Sequence, residues 1–263
     1  MGILSESDLK FFEENGYVVA RGAVSAEQAA ATAQEVWEFS GKDPADPESW
    51  YGVHMRAGKE YGTRGAPGIM VEMYHGPRQW ENRTAPGVHE AFSQIWGTRK
   101  LWCSMDRVSI NPPCRDDEIL QDPQLEARGV HWDNAQLRLA KSAADVGPLK
   151  FGVQGVLYLV DTLPENGAFV CVPGFHRAID EWLQALPPGA QPAQQDYLAM
   201  RGAEGKGLTR IGAKAGDLVI WQTTLPHYSA VNIGTAPRVA QCERDPALAP
   251  SRARAGACPA GRN

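Results

Sequence analysis

The sequence predicts an all-β core, a β-sandwich or barrel with α-helices packed outside it. Three observations carry that prediction. From Leu101 onward, short runs rich in β-branched and aromatic residues recur at regular spacing, bounded by Gly, Pro, Asn and Asp. Two helical segments open the chain ahead of those runs. The 263 residues lie in the range of one sandwich or barrel domain and can bury a sizeable core.

The elements follow in order. Ser5 with Asp8 three residues on resembles a capping box, Leu9, Phe11 and Phe12 give the first helix an apolar side, and Asn15-Gly16 ends it. Tyr17-Val18-Val19-Ala20 reads as a short strand. Ser25 with Gln28 opens a second helix to about Phe39, with Val36 and Phe39 facing inward. Residues 41–85 carry Pro and Gly at a density that breaks every periodicity, the mark of a functional loop or lid. Within it, residues 68–74 read as a strand. Pro86 and Gly97 bracket a helix through Val88, Phe92 and Ile95.

Strands are then expected at 101–105, at 107–110 before the turn Asn111-Pro112-Pro113, at 129–133, at 151–160 and at 167–172. The last two are joined through Glu165-Asn166-Gly167, a hairpin-type turn signal. Residues 179–186 read as a short helix around Trp182, and 217–221 as a strand that delivers His227 just beyond its end. Residues 1–241 form the expected domain. The strand from Arg238 breaks off at Gln241, and residues 242–263, rich in Ala, Arg, Pro and Gly, read as a disordered or aberrant tail, as from a frameshift or truncation.

Composition narrows the function classes. The net charge is -5 with acids and bases interspersed, so no basic stripe for nucleic acid and no polybasic patch for a membrane surface is present. No apolar run approaches the roughly 20 residues of a membrane span, and residues 1–8 lack the basic and apolar regions of a signal peptide. Five cysteines without a CxxC pair fit free thiols in a reducing compartment, so a cytoplasmic protein is expected. A small-molecule substrate is the expected partner; the oligomeric state is not encoded in any legible pattern.

The chemistry-bearing residues are split between two segments. In an extended chain, residues two apart share a face, so His131 and Asp133 can hold one metal while Trp132 points away. His227, following Pro226 after a buried-looking strand, supplies a second imidazole. Two His and one carboxylate suit non-heme Fe(II) and leave three coordination positions open. Ser229 shares the face of His227, and Arg238 lies across a hairpin containing Asn232 and Gly234. Together they can clamp the far carboxylate of an organic-acid co-substrate. The same residues taken singly also fit a hydrogen-bonded core His, a surface Asp and a surface Arg, and the ligand set also suits a jelly-roll Zn protein or hydrolase without oxygenase activity.

The pattern His131-x-Asp133, then Glu165-Asn166-Gly167 through Pro173-Gly174-Phe175-His176, then Gly216-Asp217-Leu218-Val219-Ile220-Trp221, then His227-x-Ser229 and Arg238, resembles the phytanoyl-CoA dioxygenase family. The opening residues 11–19 look like that family's start, and the resemblance covers about residues 5–241. It implies a double-stranded β-helix, a cupin-like jelly roll, that uses Fe(II), 2-oxoglutarate and O2. By position it implies that His131, Asp133 and His227 bind iron and that Arg238 and Ser229 bind 2-oxoglutarate, with further contacts from Arg107, Ser109 and Asn111. Oxidative decarboxylation to succinate and CO2, coupled to hydroxylation or other oxidation of an unactivated C–H bond, is the implied activity. Asp at position 133 sets the chain apart from the halogenase branch. Family members usually continue past the Arg-bearing strand, where this chain departs from them.

Lesser expectations concern residues around that set. Asn134 is placed to orient Asp133. Gln154 and Tyr158 share a strand face and line the pocket or the core. Trp132 and Trp221 read as core, and His176 as structural. His54, His75 and His89 have no ligand spacing, while Tyr74, His75 and Trp80 suit a substrate-covering loop.

Overall fold

A computed structural model describes residues 2–51, 54–56, 59–61, 69–122, 124–127, 129–202 and 205–243. The capping box forms as expected: Ser5 accepts from the Asp8 N–H, Asp8 caps the Ser5 N–H, and α1 (Glu6–Asn15) ends on Gly16 at φ 76°. A side chain at Gly16 would meet the His176 ring, with Nδ1 2.5 Å from the added Cβ. Strand β1 (Tyr17–Ala20) and helix α2 (Ala26–Ser40, capped by Ser25) follow. Val36 is buried, but Phe39 is exposed and Trp37 takes the inward position.

Next come β2 (His54–Arg56) and β3 (Lys59–Tyr61), paired with each other, and β4 (Ile69–Val71). Helices α3 (Pro77–Arg83) and α4 (Pro86–Trp96) each begin on Pro. Then follow β5 (Val108–Asn111), short helices α5 (Asp117–Leu120) and α6 (Ala135–Leu139), β6 (Val153–Tyr158), β7 (Phe169–Cys171) and α7 (Phe175–Ala185). The described chain closes with β8 (Thr209–Ile211), β9 (Leu218–Gln222), β10 (His227–Ser229) and β11 (Arg238–Glu243).

Six strands make one sheet in the order β1-β9-β6-β11-β5-β4, and three make a second in the order β10-β7-β8; every pairing in both is antiparallel. The period-2 alternation of the large sheet decides what each face does. Val108, Ile110, Val153, Leu157, Leu218, Ile220 and Val239 pack under the helices with Phe12, Val36, Val88 and Phe92. Val156, Tyr158, Val219, Trp221 and Ala240 face the small sheet and share a core with Phe169, Cys171 and Ile211. Full burial of a side chain such as Phe92 contributes about 2–3 kcal/mol of transfer free energy, so the helical layer is integral to the sheet it covers.

Several expectations change. The 101–105 run is not a strand: Leu101 makes only a bridge position, and Trp102 is 62% exposed. Residues 129–133 contribute one bridge, His131 to His227. Glu165-Asn166-Gly167 does turn the chain, but it does not close a hairpin: β6 stays in the large sheet while β7 joins the small one. The segment between Ser229 and Arg238 likewise crosses between sheets. Helix α3 and strand β8 were not expected, and α7 starts four residues before its predicted start. The last strand does not end at Gln241 but runs to Glu243, with Cys242 and Glu243 paired to Val156 and Gly155. Residues 244–263 lie outside those described. Among the described residues, no helix is long and apolar enough to cross a membrane.

Candidate metal centre and carboxylate pocket

His131 and His227 are joined by their own backbones, each N–H donating to the other's carbonyl at 3.0 Å. Trp132 anchors the segment between them and the core. Its indole Nε1 donates to the Thr224 carbonyl at 3.0 Å, and its ring packs against Phe175, Trp182 and Tyr197. With Trp132 committed to the core, the side chains on either side of it project the other way. His131, Asp133 and His227 then offer three ligand atoms within 4.8 Å of one another. His131 Nε2 is 3.7 Å from Asp133 Oδ1, and His227 Nε2 is 3.6 Å from Asp133 Oδ2.

Each imidazole has its tautomer fixed by a carbonyl. His131 Nδ1 lies 2.7 Å from the Gly129 carbonyl, and His227 Nδ1 lies 2.8 Å from that of Leu225. A carbonyl only accepts, so both Nδ1 atoms carry a proton and both Nε2 atoms are turned toward Asp133. Burial, and then the neighbouring His227, lower the pKa of His131 below the ordinary imidazole value. Burial tends to raise the Asp133 pKa, but hydrogen bonding and charge from His227, with the Gln154 amide, outweigh it and hold the carboxyl well below its usual range. Asp133 is thereby held ionised and His131 is disfavoured as a cation, the forms a divalent cation requires of them. His131 is half-exposed at 49% while His227 is 5% exposed, so the centre opens on the His131 side.

The second half of the site lies further along the inner face. Arg238 starts β11 directly opposite Asn111. Its guanidinium is buried and donates to Ser109 Oγ at 3.2 Å, and its Nε has no hydrogen-bond partner. No carboxylate of the described residues pairs with it; desolvation by burial lowers its pKa, against the influence of the nearby Tyr158 hydroxyl. Tyr158 is itself satisfied, donating to the Ile211 carbonyl and accepting from the Phe169 N–H, both at 2.8 Å. Ser229 stands opposite Phe169 in the small sheet, and its buried Oγ also has no partner. A buried guanidinium and a buried hydroxyl with unmet donors form the environment that an anionic ligand satisfies.

Residues 12–240 match the phytanoyl-CoA dioxygenase (PhyH) family. The chain belongs to that family. A curated relative, "Ava biosynthesis cluster protein O" of Aspergillus versicolor, is 26% identical over 251 residues, covering 88% of this chain and 74% of the relative. Among solved structures, HygX from Streptomyces hygroscopicus, with nickel and 2-oxoglutarate bound, aligns with a TM-score of 0.60 at 14% identity over 93% of this chain and 88% of that one. The epimerase SnoN, in complex with Fe3+, alpha ketoglutarate and nogalamycin RO, aligns with a TM-score of 0.58 at 15% identity over 92% of this chain and 83% of that one. The PhyH chain thus shares the fold of enzymes dependent on iron and 2-oxoglutarate.

The remaining expected residues of this PhyH chain have definite places. Asn111 directs its Nδ2 to the carbonyls of Ala230 at 3.0 Å and Gly167 at 3.4 Å, bracing the small sheet beside Arg238. Gly167 sits at φ 70°, and a Cβ there would come 2.3 Å from Asn111 Nδ2. Arg107 precedes β5 and pairs with Glu72 at 3.3 Å and Asp106 at 3.6 Å. It lies at the Cys242 end of the strand, away from Arg238. Asn134 does not orient Asp133: its Oδ1 caps α6 by accepting from the Gln136 and Leu137 N–H groups. His176 Nε2 bonds the Glu13 carbonyl at 3.0 Å and ties α7 to α1.

Two residues carry more than the sequence suggested. Trp221 is not only core; its ring packs 5.1 Å from His227 and 4.2 Å from Phe169. Gln154, opposite Trp221 in the β6–β9 register, contacts the metal-ligand set directly. The signal for Gln154 was its polarity in an otherwise apolar central strand, where an amide needs a partner. His54 lies in β2 and His89 on α4, both outside the ligand set. His75 stacks on Trp80.

Proposed function

We propose that this PhyH-family protein is a non-heme Fe(II)- and 2-oxoglutarate-dependent dioxygenase that oxidises an unactivated C–H bond of a small organic molecule. Its two sheets are read as the halves of a double-stranded β-helix. The observation that carries the reading is Arg238, a buried cation without a carboxylate partner on the same inner face as a His-Asp-His set. A Zn hydrolase has no use for such a clamp; a dicarboxylate that chelates metal at one end and needs a counter-ion at the other does. The 2-oxoglutarate named in the HygX structure supports the same reading.

Bound iron and 2-oxoglutarate would supply the oxidative chemistry, consuming O2 and releasing succinate and CO2. The chain's own residues do the rest. His131, Asp133 and His227 would hold the metal, two imidazoles and a carboxylate being a ligand set suited to non-heme iron. Arg238 and Ser229 bind the far carboxylate of 2-oxoglutarate through charge-assisted hydrogen bonds and fix its direction. Asn111 braces the wall beside that carboxylate. Trp221 and Phe169 exclude water from the His227 side. The substrate enters where His131 is exposed. A hydroxylated product is the default outcome.

The test is anaerobic addition of Fe(II) and 2-oxoglutarate to the purified protein, followed by visible spectroscopy. The weak charge-transfer band of the Fe(II)–2-oxoglutarate chelate is expected. Iron binding without that band would replace the reading with a metal protein that does not use 2-oxoglutarate.

A further inference from the structure

We infer that the indole N–H of Trp221 is a binding group for the co-substrate, donating to an oxygen at the metal-chelating end of the keto-acid. The inference rests on the proposed reading of the site as one that binds metal and 2-oxoglutarate. Trp221 lies on β9, is 7% exposed, and its Nε1 has no hydrogen-bond partner among the described residues. An indole Nε1 can only donate, so whatever answers it must bring an acceptor.

Two other buried tryptophans show how this fold treats an indole used for packing. Trp50 and Trp132 each donate Nε1 to a backbone carbonyl at 3.0 Å, those of Asp43 and Thr224. Trp221 reaches no such carbonyl. Its neighbours across the sheet, Tyr17 on β1 and Gln154 on β6, leave the N–H unmatched as well. A buried donor without an acceptor is disfavoured, and a bound carboxylate or keto oxygen removes that penalty.

Position decides which ligand. The Trp221 ring centroid is 5.1 Å from that of His227 and 4.2 Å from that of Phe169. Phe169 stands opposite Ser229 in the small sheet. Ser229 is two residues beyond His227 on β10, about 7 Å along a strand. The Trp221 ring therefore borders the interval between the metal ligand and the hydroxyl assigned to the far carboxylate. A keto-acid reaching from a metal on His227 to Ser229 and Arg238 passes this ring. Arg238 and Ser229 answer its far end, so the Trp221 N–H, beside His227, falls to the chelating end. A neutral donor there orients the ligand without adding a second positive charge.

The experiment titrates Fe(II)-loaded protein with 2-oxoglutarate under nitrogen, reading the charge-transfer band in wild type and two variants. Trp221→Phe keeps an aromatic ring against His227 and Phe169 and removes the donor. Replacement of Trp221 by 3-benzothienylalanine keeps the bicyclic shape and puts sulfur in place of the N–H. Both variants are expected to bind 2-oxoglutarate about 10- to 100-fold more weakly. Their bands should move to shorter wavelength, because losing a donor at the chelating end raises the orbital that accepts the transferred electron. Co(II) affinity and the metal-free thermal midpoint should stay close to wild type. Wild-type 2-oxoglutarate affinity and an unmoved band in both variants would overturn the inference. So would an equal loss of Co(II) affinity, which would make Trp221 a support for His227 alone, or loss of folding in both variants. Absence of the band in wild type would instead overturn the 2-oxoglutarate reading on which the inference stands.

Discussion

Replacing Arg238 with methionine separates a co-substrate clamp from a structural arginine. The wild-type guanidinium is buried, meets only the neutral hydroxyls of Ser109 and Tyr158 among the described residues, and leaves Nε unmatched. Removing one partner of a buried, hydrogen-bonded charge pair costs about 2–5 kcal/mol. At about 1.4 kcal/mol per tenfold, the 2-oxoglutarate Kd should rise from roughly 30-fold to a few thousand-fold. The ligand-free protein should respond in the opposite sense. A desolvated cation without a counter-ion is a cost to the fold, and Tyr158 keeps both its other partners when the guanidinium goes. The assay is thermal unfolding of the Mn(II)-loaded protein under nitrogen, with and without 2-oxoglutarate. At about 100 times Kd the co-substrate stabilises wild type by about 2.7 kcal/mol, which for a chain of this size is roughly 5–10 °C. Arg238→Met should start at or above the wild-type midpoint and gain almost nothing from 2-oxoglutarate. A variant that unfolds well below wild type yet keeps its 2-oxoglutarate shift would refute the reasoning, because Arg238 would then serve the fold alone.

His131→Ala, Asp133→Ala and His227→Ala should each abolish 2-oxoglutarate turnover measured as succinate release, and full activity in any one would remove the assignment of the centre. Burial and His227 hold the His131 pKa under the ordinary imidazole value of 6.5 and Asp133 stays ionised far lower, so proton competition at these two ligands should set in only below 6.5. The same sign applies to the metal-free fold: unfolded His131 binds a proton more readily than folded His131, so stability drops as pH falls from 6.5 toward the folded value. An acid limb at or above 6.5 in Co(II) titrations across pH would contradict this expectation. Gly16→Ala should lower stability by about 1–2 kcal/mol, since a left-handed backbone and the His176 ring both oppose a Cβ there, and leave Co(II) affinity unchanged. A thermal midpoint equal to wild type would contradict it.

What was legible in the sequence was local. His131-x-Asp133 could be read because period-2 alternation needs no knowledge of partners, and Trp132 takes the opposite face as alternation demands. Ser5, Asp8, Gly16, Pro86 and Gly97 mark helix ends through hydrogen bonds and backbone angles confined to a few residues. What failed depended on distant context. Glu165-Asn166-Gly167 specifies a turn but not which sheet the next strand joins, so a crossover was read as a hairpin. Trp102 and Met105 have strand-like character, but β-propensity reports fit to a half-buried surface, and among the described residues no strand covers them. Asn134 beside Asp133 looked like a ligand support, yet an Asn ahead of a short helix answers first to the free N–H groups of its first turn. Gln154 was placed on the right face, but its partners are 21 and 73 residues away and carry no local trace.

The division of the site between the two sheets explains why such non-local contacts matter. His227 and Ser229 ride on β10 of the small sheet; Gln154 and Arg238 belong to β6 and β11 of the large one. The sheets are pinned across the site by Phe169 on Trp221, by the Phe169 N–H on the Tyr158 hydroxyl, and by Asn111 on the Ala230 carbonyl. Any separation of the sheets would pull His227 from Gln154 and Ser229 from the Arg238 side together, weakening metal and carboxylate binding at once. On the proposed reading, a dicarboxylate held at one end by metal on His227 and at the other by Arg238 would cross-link the sheets. Its binding free energy would then stabilise the packing of the two halves as well as the site, and a thermal midpoint would report the clamp.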